Sequence, residues 1–174
     1  MKISLLNKSL YLLLSLSLFI GLYFGEDSSG SGGHIADFNS TWGYVEALKN
    51  AIFVLPSKWA LHTPLHYIIL SKIYIFIESK YIIRIIFCIF SISLPFLFYL
   101  SLKINYPNIN KNNLLILVSL IFLFPSFRSG AIWANSHITA IFFLLLFLIF
   151  FLKWIKGSNF KELNSNIYLQ LIFL

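Results

Sequence analysis

Long apolar runs, separated by short polar segments, make up most of the chain. Apolar residues are continuous within each run and do not alternate with polar ones, which favours helices over strands. Because a helix needs about 20 residues to cross a bilayer, we expect transmembrane helices over residues 1–24, 82–102, 113–127 and 138–152. A further apolar run occupies residues 167–174, and we interpret it as the start of another, truncated transmembrane helix. The pattern predicts an all-α membrane protein with about four to five transmembrane helices, continuing into a longer chain.

The segment 25–81 is the one long polar interruption, and it is rich in glycine near its start. Apolar residues recur at helical spacing over about 41–55, which predicts an amphipathic helix on the membrane surface with Trp42 as an interfacial anchor. A second helix is predicted over about 64–77, after a Thr-Pro pair that suits a helix start. This helix is short and carries Lys72 near its middle, so we expect it to be interfacial or re-entrant.

Composition supports a membrane protein and argues against other classes. Apolar residues make up 59% of the chain, charged residues 11%, and the mean hydropathy is +0.84. The net charge is +7, but Lys and Arg flank the apolar runs and form no basic stripe with stacking aromatics, so no nucleic acid partner is expected. Cys88 is the single cysteine and lies in an apolar run, which excludes an intramolecular disulfide and a cysteine-based metal site.

The basic residues predict the orientation in the membrane. If 64–77 does not cross, seven of the thirteen basic residues share the side of the N-terminus: Lys2, Lys8, Lys103, Lys111, Lys153, Lys156 and Lys161. If 64–77 crosses the membrane, only five basic residues share the side of the N-terminus: Lys2, Lys8, Lys80, Arg84 and Arg128. The positive-inside rule favours the first arrangement, with the N-terminus in the cytoplasm of a multi-pass protein of the plasma (inner) membrane. Segment 25–81 then faces outside, with membrane lipids around the helices.

Several motifs in this order resemble one family of membrane enzymes. Asp37 lies in GGHIADF, the segment 62–65 in HTPLHYIIL resembles an HPPL-type motif, and Arg84 opens the next apolar run. Arg128 follows in FPSFRSGAIWANSHITAIFF, at the end of a later run. The chain resembles the N-terminal part of the GT-C glycosyltransferases, in particular the protein mannosyltransferase and aminoarabinose transferase branch.

The resemblance implies transfer of a sugar from a polyprenyl-phosphate-linked donor to an acceptor at the outer face of the membrane, with inversion. Asp37 would be the catalytic base, because a carboxylate that is partly desolvated near a membrane can accept the proton of a hydroxyl group. His62, His66, Arg128 and His137 would be substrate-binding residues, with the phosphate contacted by His62 or His66 and by Arg128. The sugar, the lipid carrier and the acceptor stay open.

Other interpretations of these residues also stay open. A divalent metal is a possible cofactor, with Asp27 as the candidate ligand. Asp37 can equally solvate a turn, and Arg128 can anchor a helix end at the lipid headgroups. Trp133 is most simply an interfacial belt residue. The alternative function is a polytopic membrane protein without enzymatic activity, either transporter-like or an assembly component.

Overall fold

The computed structural model describes residues 3–29, 32–50 and 64–156. All secondary-structure elements within these ranges are helices. The elements are α1 Leu5–Phe24, α2 Gly33–Asn50, α3 Pro64–Ile77, α4 Lys80–Asn105, α5 Lys111–Ser119, a 3₁₀ turn Leu120–Leu123, α6 Pro125–Ile132 and α7 Ser136–Lys156. Helices α1, α4 and α7 are long and apolar enough to cross a membrane, and α5 with α6 forms a fourth, bent candidate. The prediction of an all-α membrane protein is confirmed.

Helix α1 begins and ends where its sequence supplies caps. The Ser4 side chain accepts a hydrogen bond from the backbone N–H of Asn7, and Gly25 ends the helix in the left-handed conformation with φ +66°. Leu18 faces the interior with 0% exposure, whereas Leu13 on the other side is 66% exposed. A large exposed leucine surface of this kind suits contact with lipid and not with water.

The predicted span 113–127 is a broken helix in the structure. Helices α5 and α6 meet at an angle of 67°. Pro125 explains the break, since proline lacks an N–H group and disfavours helical geometry at the preceding residue. Phe124 accordingly has extended backbone angles, with φ −71° and ψ 119°. Pro95, in contrast, lies inside the continuous helix α4.

Helix α2 begins earlier than the predicted amphipathic helix at about 41–55. The side chain of Asp27 accepts a hydrogen bond from Ile35 N at 3.0 Å, and Ser29 Oγ accepts one from Gly33 N at 2.6 Å. These two side chains cap the first turn, so the helix forms from Gly33 onward. Asp37 therefore lies within a helix and not in a loop. Residues 51–55 of the prediction lie outside the described residues.

The tryptophans predicted as membrane-interface anchors pack inside the protein. Trp42 is 3% exposed and its ring contacts Tyr74 of α3, with centroids 4.9 Å apart. Trp133 is 9% exposed and its ring centroid lies 5.9 Å from that of Phe38. Both rings belong to the main buried cluster, which joins α2 and α3 to the longer helices. Helices α2 and α3 are thus part of the fold and not only surface attachments.

An ion pair joins α1 to α6 at one end of the bundle. The Nε and Nη2 atoms of Arg128 each donate to Glu26 at 2.6 Å, and these side chains are only 14% and 32% exposed. The other N–H groups of Arg128 reach the Ser17 hydroxyl and the backbone carbonyls of Ser17 and Phe122. Glu26 is thus the half-buried partner of Arg128. Arg128 is occupied within the protein by these contacts.

The two ends of the bundle differ in charge. All acidic residues of the described part lie at one end, here called the acidic end: Glu26, Asp27, Asp37, Glu46 and Glu78. The opposite end, here called the lysine end, carries Lys8, Lys103, Lys111, Lys153 and Lys156. Contacts join its helices, since Lys156 Nζ donates to the carbonyls of Ile104 and Asn105. No acidic side chain of the described residues lies there.

We predict that Gly21→Ala destabilises the protein by about 1–3 kcal/mol, because a new methyl group would overpack the core. A Cβ atom at Gly21 would lie 2.5 Å from Glu26 Oε2 and 2.7 Å from Ile132 Cδ1. Gly43→Ala in α2 is the matched control, since nothing lies within 4 Å of its added methyl and alanine favours helix. Unfolding in detergent measures both. Equal stability of the two variants would contradict the described packing.

Candidate functional site

The corner between α6 and α7 brings polar residues together at the acidic end. Ala134 at this corner has φ +49°, a left-handed conformation that is uncommon for residues other than glycine. The backbone N–H of Asn135 returns to the carbonyl of Gly130 at 3.0 Å, and Ile138 N bonds to Asn135 O at 3.1 Å. The turn is therefore fixed by the backbone, and it directs the side chains of Asn135 and His137 towards α2.

His34 is the point where α2 meets this corner. Its Nδ1 atom accepts a hydrogen bond from the Asn135 side-chain amide at 2.6 Å. Its ring also contacts that of His137, with centroids 5.9 Å apart and an interplanar angle of 62°. The His137 ring lies directly against Gly130, at a position where no larger residue would fit. Two imidazoles and one amide thus form a small polar surface.

Asp37 lies one helical turn after His34, so the two side chains share a face of α2. The Asp37 side chain is exposed, and its carboxylate makes no hydrogen bond to the described residues. It is close enough to His137 to interact with it electrostatically. Asp37, His34 and His137 therefore form one accessible group, which we call the Asp37 group.

His66 lies beneath this surface and is 2% exposed. Its Nδ1 atom is 2.9 Å from the hydroxyl of Thr139, and the ring also hydrogen bonds to the backbone of Ala134. Burial lowers the pKa of His66 to about 4, with a smaller contribution from the nearby His137. The ring is therefore neutral at physiological pH, and it supports the corner from below.

Arg84 lies beside the same corner and was predicted only as the first residue of a span. Its guanidinium stacks on the Trp133 ring, 3.6 Å from the centroid, and its Nε donates to Ile132 O at 2.9 Å. The Trp133 indole in turn donates to the carbonyl of Glu26 at 2.9 Å. The Nη2 atom of Arg84 is buried and has no hydrogen-bond partner in the described part of the chain.

The predicted site residues thus separate into distinct places. Asp37 and His137 come together on the surface, His66 lies inside, and Arg128 is bound to Glu26 on the side of α6 that faces α1. His62 lies outside the described residues. Asn135 and Thr139 were not predicted, because their partners lie 101 and 73 residues away in sequence. The only sign of these two residues in the local sequence is the polar segment WANSH, which precedes an apolar run.

Asp27 has a local role in the described structure. One carboxylate oxygen accepts from the backbone and hydroxyl of Ser29 at 3.0 and 2.6 Å, and the other accepts from Ile35 N. Burial acts to raise the pKa of Asp27, but these hydrogen bonds and the nearby His34 together lower it to about 2. Among the described residues, no group of three His, Cys, Asp or Glu side chains is arranged to hold a metal ion.

No protein family, curated protein or solved structure matches the chain. The chemistry of the site is therefore inferred from its own geometry. An exposed carboxylate beside two imidazoles can take a proton from a hydroxyl group. The cationic Arg84 at the same end can attract an anion.

We predict that stability falls as the pH is lowered from about 6.5 to about 4, because an unfolded chain protonates His66 while the folded ring stays neutral. The folded pKa is depressed, so the contribution is fully present above the unfolded pKa and is lost below it. His66→Gln should flatten this part of the stability profile. Thermal unfolding of both proteins at pH 7 and pH 5 measures the difference. Parallel profiles would show that His66 is not buried as described.

Proposed function

We propose that this chain carries the reactive site of a membrane glycosyltransferase of the GT-C type. The enzyme would transfer a sugar from a polyprenyl-phosphate-linked donor to an acceptor hydroxyl, with inversion at the sugar carbon. One observation carries the proposal: Asp37 presents an exposed carboxylate at the acidic end, on the same face of α2 as His34, whose ring contacts that of His137. The order of motifs along the sequence supports the same assignment.

Asp37 acts as the general base in this proposal. The acceptor oxygen attacks the sugar carbon, the bond between that carbon and the phosphate oxygen breaks, and the hydroxyl proton passes to Asp37. The phosphate leaves on its lipid carrier with the bonding electrons. His34, one turn before Asp37, and His137, whose ring contacts that of His34, can orient the acceptor by hydrogen bonds. A base of this kind contributes about 10²–10⁴-fold to a rate.

The membrane setting suits a lipid-linked donor. The polyprenyl tail would lie in the bilayer, so its phosphate would stand at the level where the spanning helices end. His137 of the Asp37 group lies in the first turn of α7, one of the helices long enough to span the membrane. A soluble acceptor can approach from the water side, since Asp37 is exposed.

We place the acidic end outside the plasma (inner) membrane and the N-terminus in the cytoplasm. The lysine end supports this orientation, because its described charged side chains are all lysines. At the acidic end, Arg84 and Arg128 are held against the protein, and Lys49 pairs with Glu78 at 3.3 Å. The lysine end therefore carries a net positive charge, which the anionic cytoplasmic leaflet attracts, whereas the basic residues of the other end lie among the five acidic ones.

We expect Asp37→Asn to lower sugar transfer by about 10²-fold or more, because the amide cannot accept the proton. Membranes containing the protein are incubated with a panel of radiolabelled polyprenyl-phosphate sugars, and label leaving the lipid fraction is measured. Glu46→Gln is the matched control, since Glu46 is another exposed carboxylate on α2.

Two outcomes would contradict the proposal. Asp37→Asn membranes that transfer sugar as fast as Glu46→Gln membranes would remove Asp37 as the base. Wild-type membranes that consume none of the donors would favour a transporter-like or assembly role. Donor added to sealed right-side-out vesicles should react, which also tests the proposed side of the membrane.

A further inference from the structure

Asn135 connects the corner between α6 and α7 to helix α2 through a hydrogen bond between side chains. Its Nδ2 atom lies 2.6 Å from Nδ1 of His34, across 101 residues of sequence. Asn135 is 7% exposed, and its backbone is held twice, because its N–H donates to Gly130 O and its carbonyl accepts from Ile138 N. The amide therefore reaches His34 from a fixed position.

This contact determines which nitrogen of His34 carries the hydrogen. An amide nitrogen can only donate a hydrogen bond, so Nδ1 of His34 must accept it with its lone pair. A neutral imidazole has one N–H group, which in this case is on Nε2. With a hydrogen on Nδ1, two donors would face each other at 2.6 Å and the buried amide would lose its bond. His34 is therefore held as one of its two neutral tautomers.

His34 in this state is a hydrogen-bond donor and not a base. Its Nδ1 lone pair is used by Asn135, and its Nε2 makes no hydrogen bond to the described residues. Asp37, an acceptor when ionised, lies three residues further along α2, where Cβ atoms are about 5–6 Å apart. A hydroxyl group both donates and accepts, with about 2.7–3.0 Å for each bond. One hydroxyl group can therefore bridge His34 and Asp37.

We propose that Asn135 is a positioning residue that keeps His34 as the Nε2–H tautomer, so that His34 donates to the oxygen of the hydroxyl group whose proton Asp37 accepts. The inference rests on the proposed function, because it assigns the groups that hold the acceptor. Nε2–H binds one lone pair of the hydroxyl oxygen, and the hydroxyl hydrogen then points to Asp37. Asn135 acts through His34 and contacts no substrate.

The same arrangement selects the chemical class of the acceptor. A hydroxyl oxygen has two lone pairs, so one can accept the bond from His34 while the other attacks the sugar carbon. A neutral amine has a single lone pair and cannot do both, and a protonated amine has none. The geometry therefore favours an alcohol over an amine as the acceptor.

The tautomer is measured by ¹⁵N NMR on protein labelled in its histidine rings, in phosphatidylcholine nanodiscs at pH 8.5, where free histidine is neutral. Ring nitrogens with and without a hydrogen give well-separated resonances, and His34→Gln identifies the His34 signals by their loss. The wild type should carry the hydrogen of His34 on Nε2 and none on Nδ1. A hydrogen on Nδ1 would overturn the proposal, and this result requires no Asn135 variant to fold.

Asn135→Asp should place a hydrogen on Nδ1 of His34, because a carboxylate only accepts. Ser136→Ala is the matched control. Ser136 is the next residue in the chain, and its side chain makes no hydrogen bond within the described ranges, so the wild-type tautomer should remain. An unchanged tautomer in Asn135→Asp, or an equal change in Ser136→Ala, would contradict the role of Asn135.

Sugar transfer provides a second measurement. Asn135→Asp and His34→Leu remove the N–H donor from the hydroxyl group and should slow transfer by about 3–10-fold, as expected for the loss of one hydrogen bond. His34→Gln should keep more of the rate than His34→Leu, since its amide N–H can replace Nε2–H. Ser136→Ala should transfer sugar at the wild-type rate. Equal losses in His34→Gln and His34→Leu would overturn the donor role of His34.

The two measurements separate this inference from the proposed function. If transfer depends on Asp37 but His34 of the wild type carries its hydrogen on Nδ1, the inference fails and the proposed function stands. If His34 has the expected tautomer but no sugar donor is consumed, the glycosyltransferase assignment fails together with the role of His34 towards an acceptor. Only the positioning of His34 by Asn135 stands in that case.

Discussion

The bidentate ion pair between Glu26 and Arg128 is the contact on which the acidic end depends. It joins the end of α1 to α6 across 102 residues of sequence. The backbone carbonyl of the same Glu26 holds the Trp133 indole, and the Trp133 ring supports the Arg84 guanidinium. The corner that follows Trp133 carries Asn135, which binds His34. The site and the fold therefore depend on one chain of contacts.

Lipid as a solvent explains why this contact is needed. A break in a membrane helix frees backbone carbonyls that lipid cannot satisfy. Pro125 causes such a break, and Arg128 Nη1 donates to the carbonyl of Phe122 at 3.1 Å, just before it. Arg128 thus donates a hydrogen bond to a carbonyl that the break leaves free, and Glu26 neutralises the charge of Arg128. Gly21 leaves the space in α1 that both side chains occupy.

The sequence predicts the helices better than the site. The apolar runs locate α1, α4 and α7 because lipid requires long apolar helices, and the Thr-Pro pair locates the start of α3 at Pro64. The sequence predicts that α2 starts at about Thr41, whereas the helix starts at Gly33. The residues that cap it, Asp27 and Ser29, lie before the helix in a glycine-rich segment that is typical of a flexible loop. The partners of Arg84 and Arg128 could not be predicted, because the contacts are long-range in sequence. Asp37 was identified as a candidate from motif order alone.

A double-mutant cycle between Glu26 and Arg128 tests the central contact most directly. The free energy of unfolding is measured in detergent for Glu26→Gln, for Arg128→Gln and for the double variant. We predict a coupling of at least about 1 kcal/mol, because the pair is close, bidentate and largely shielded from solvent. The exposed pair of Lys49 and Glu78 should give about 0–0.5 kcal/mol in the same experiment. A Glu26–Arg128 coupling as small as that of the exposed pair would contradict the proposed role of this contact.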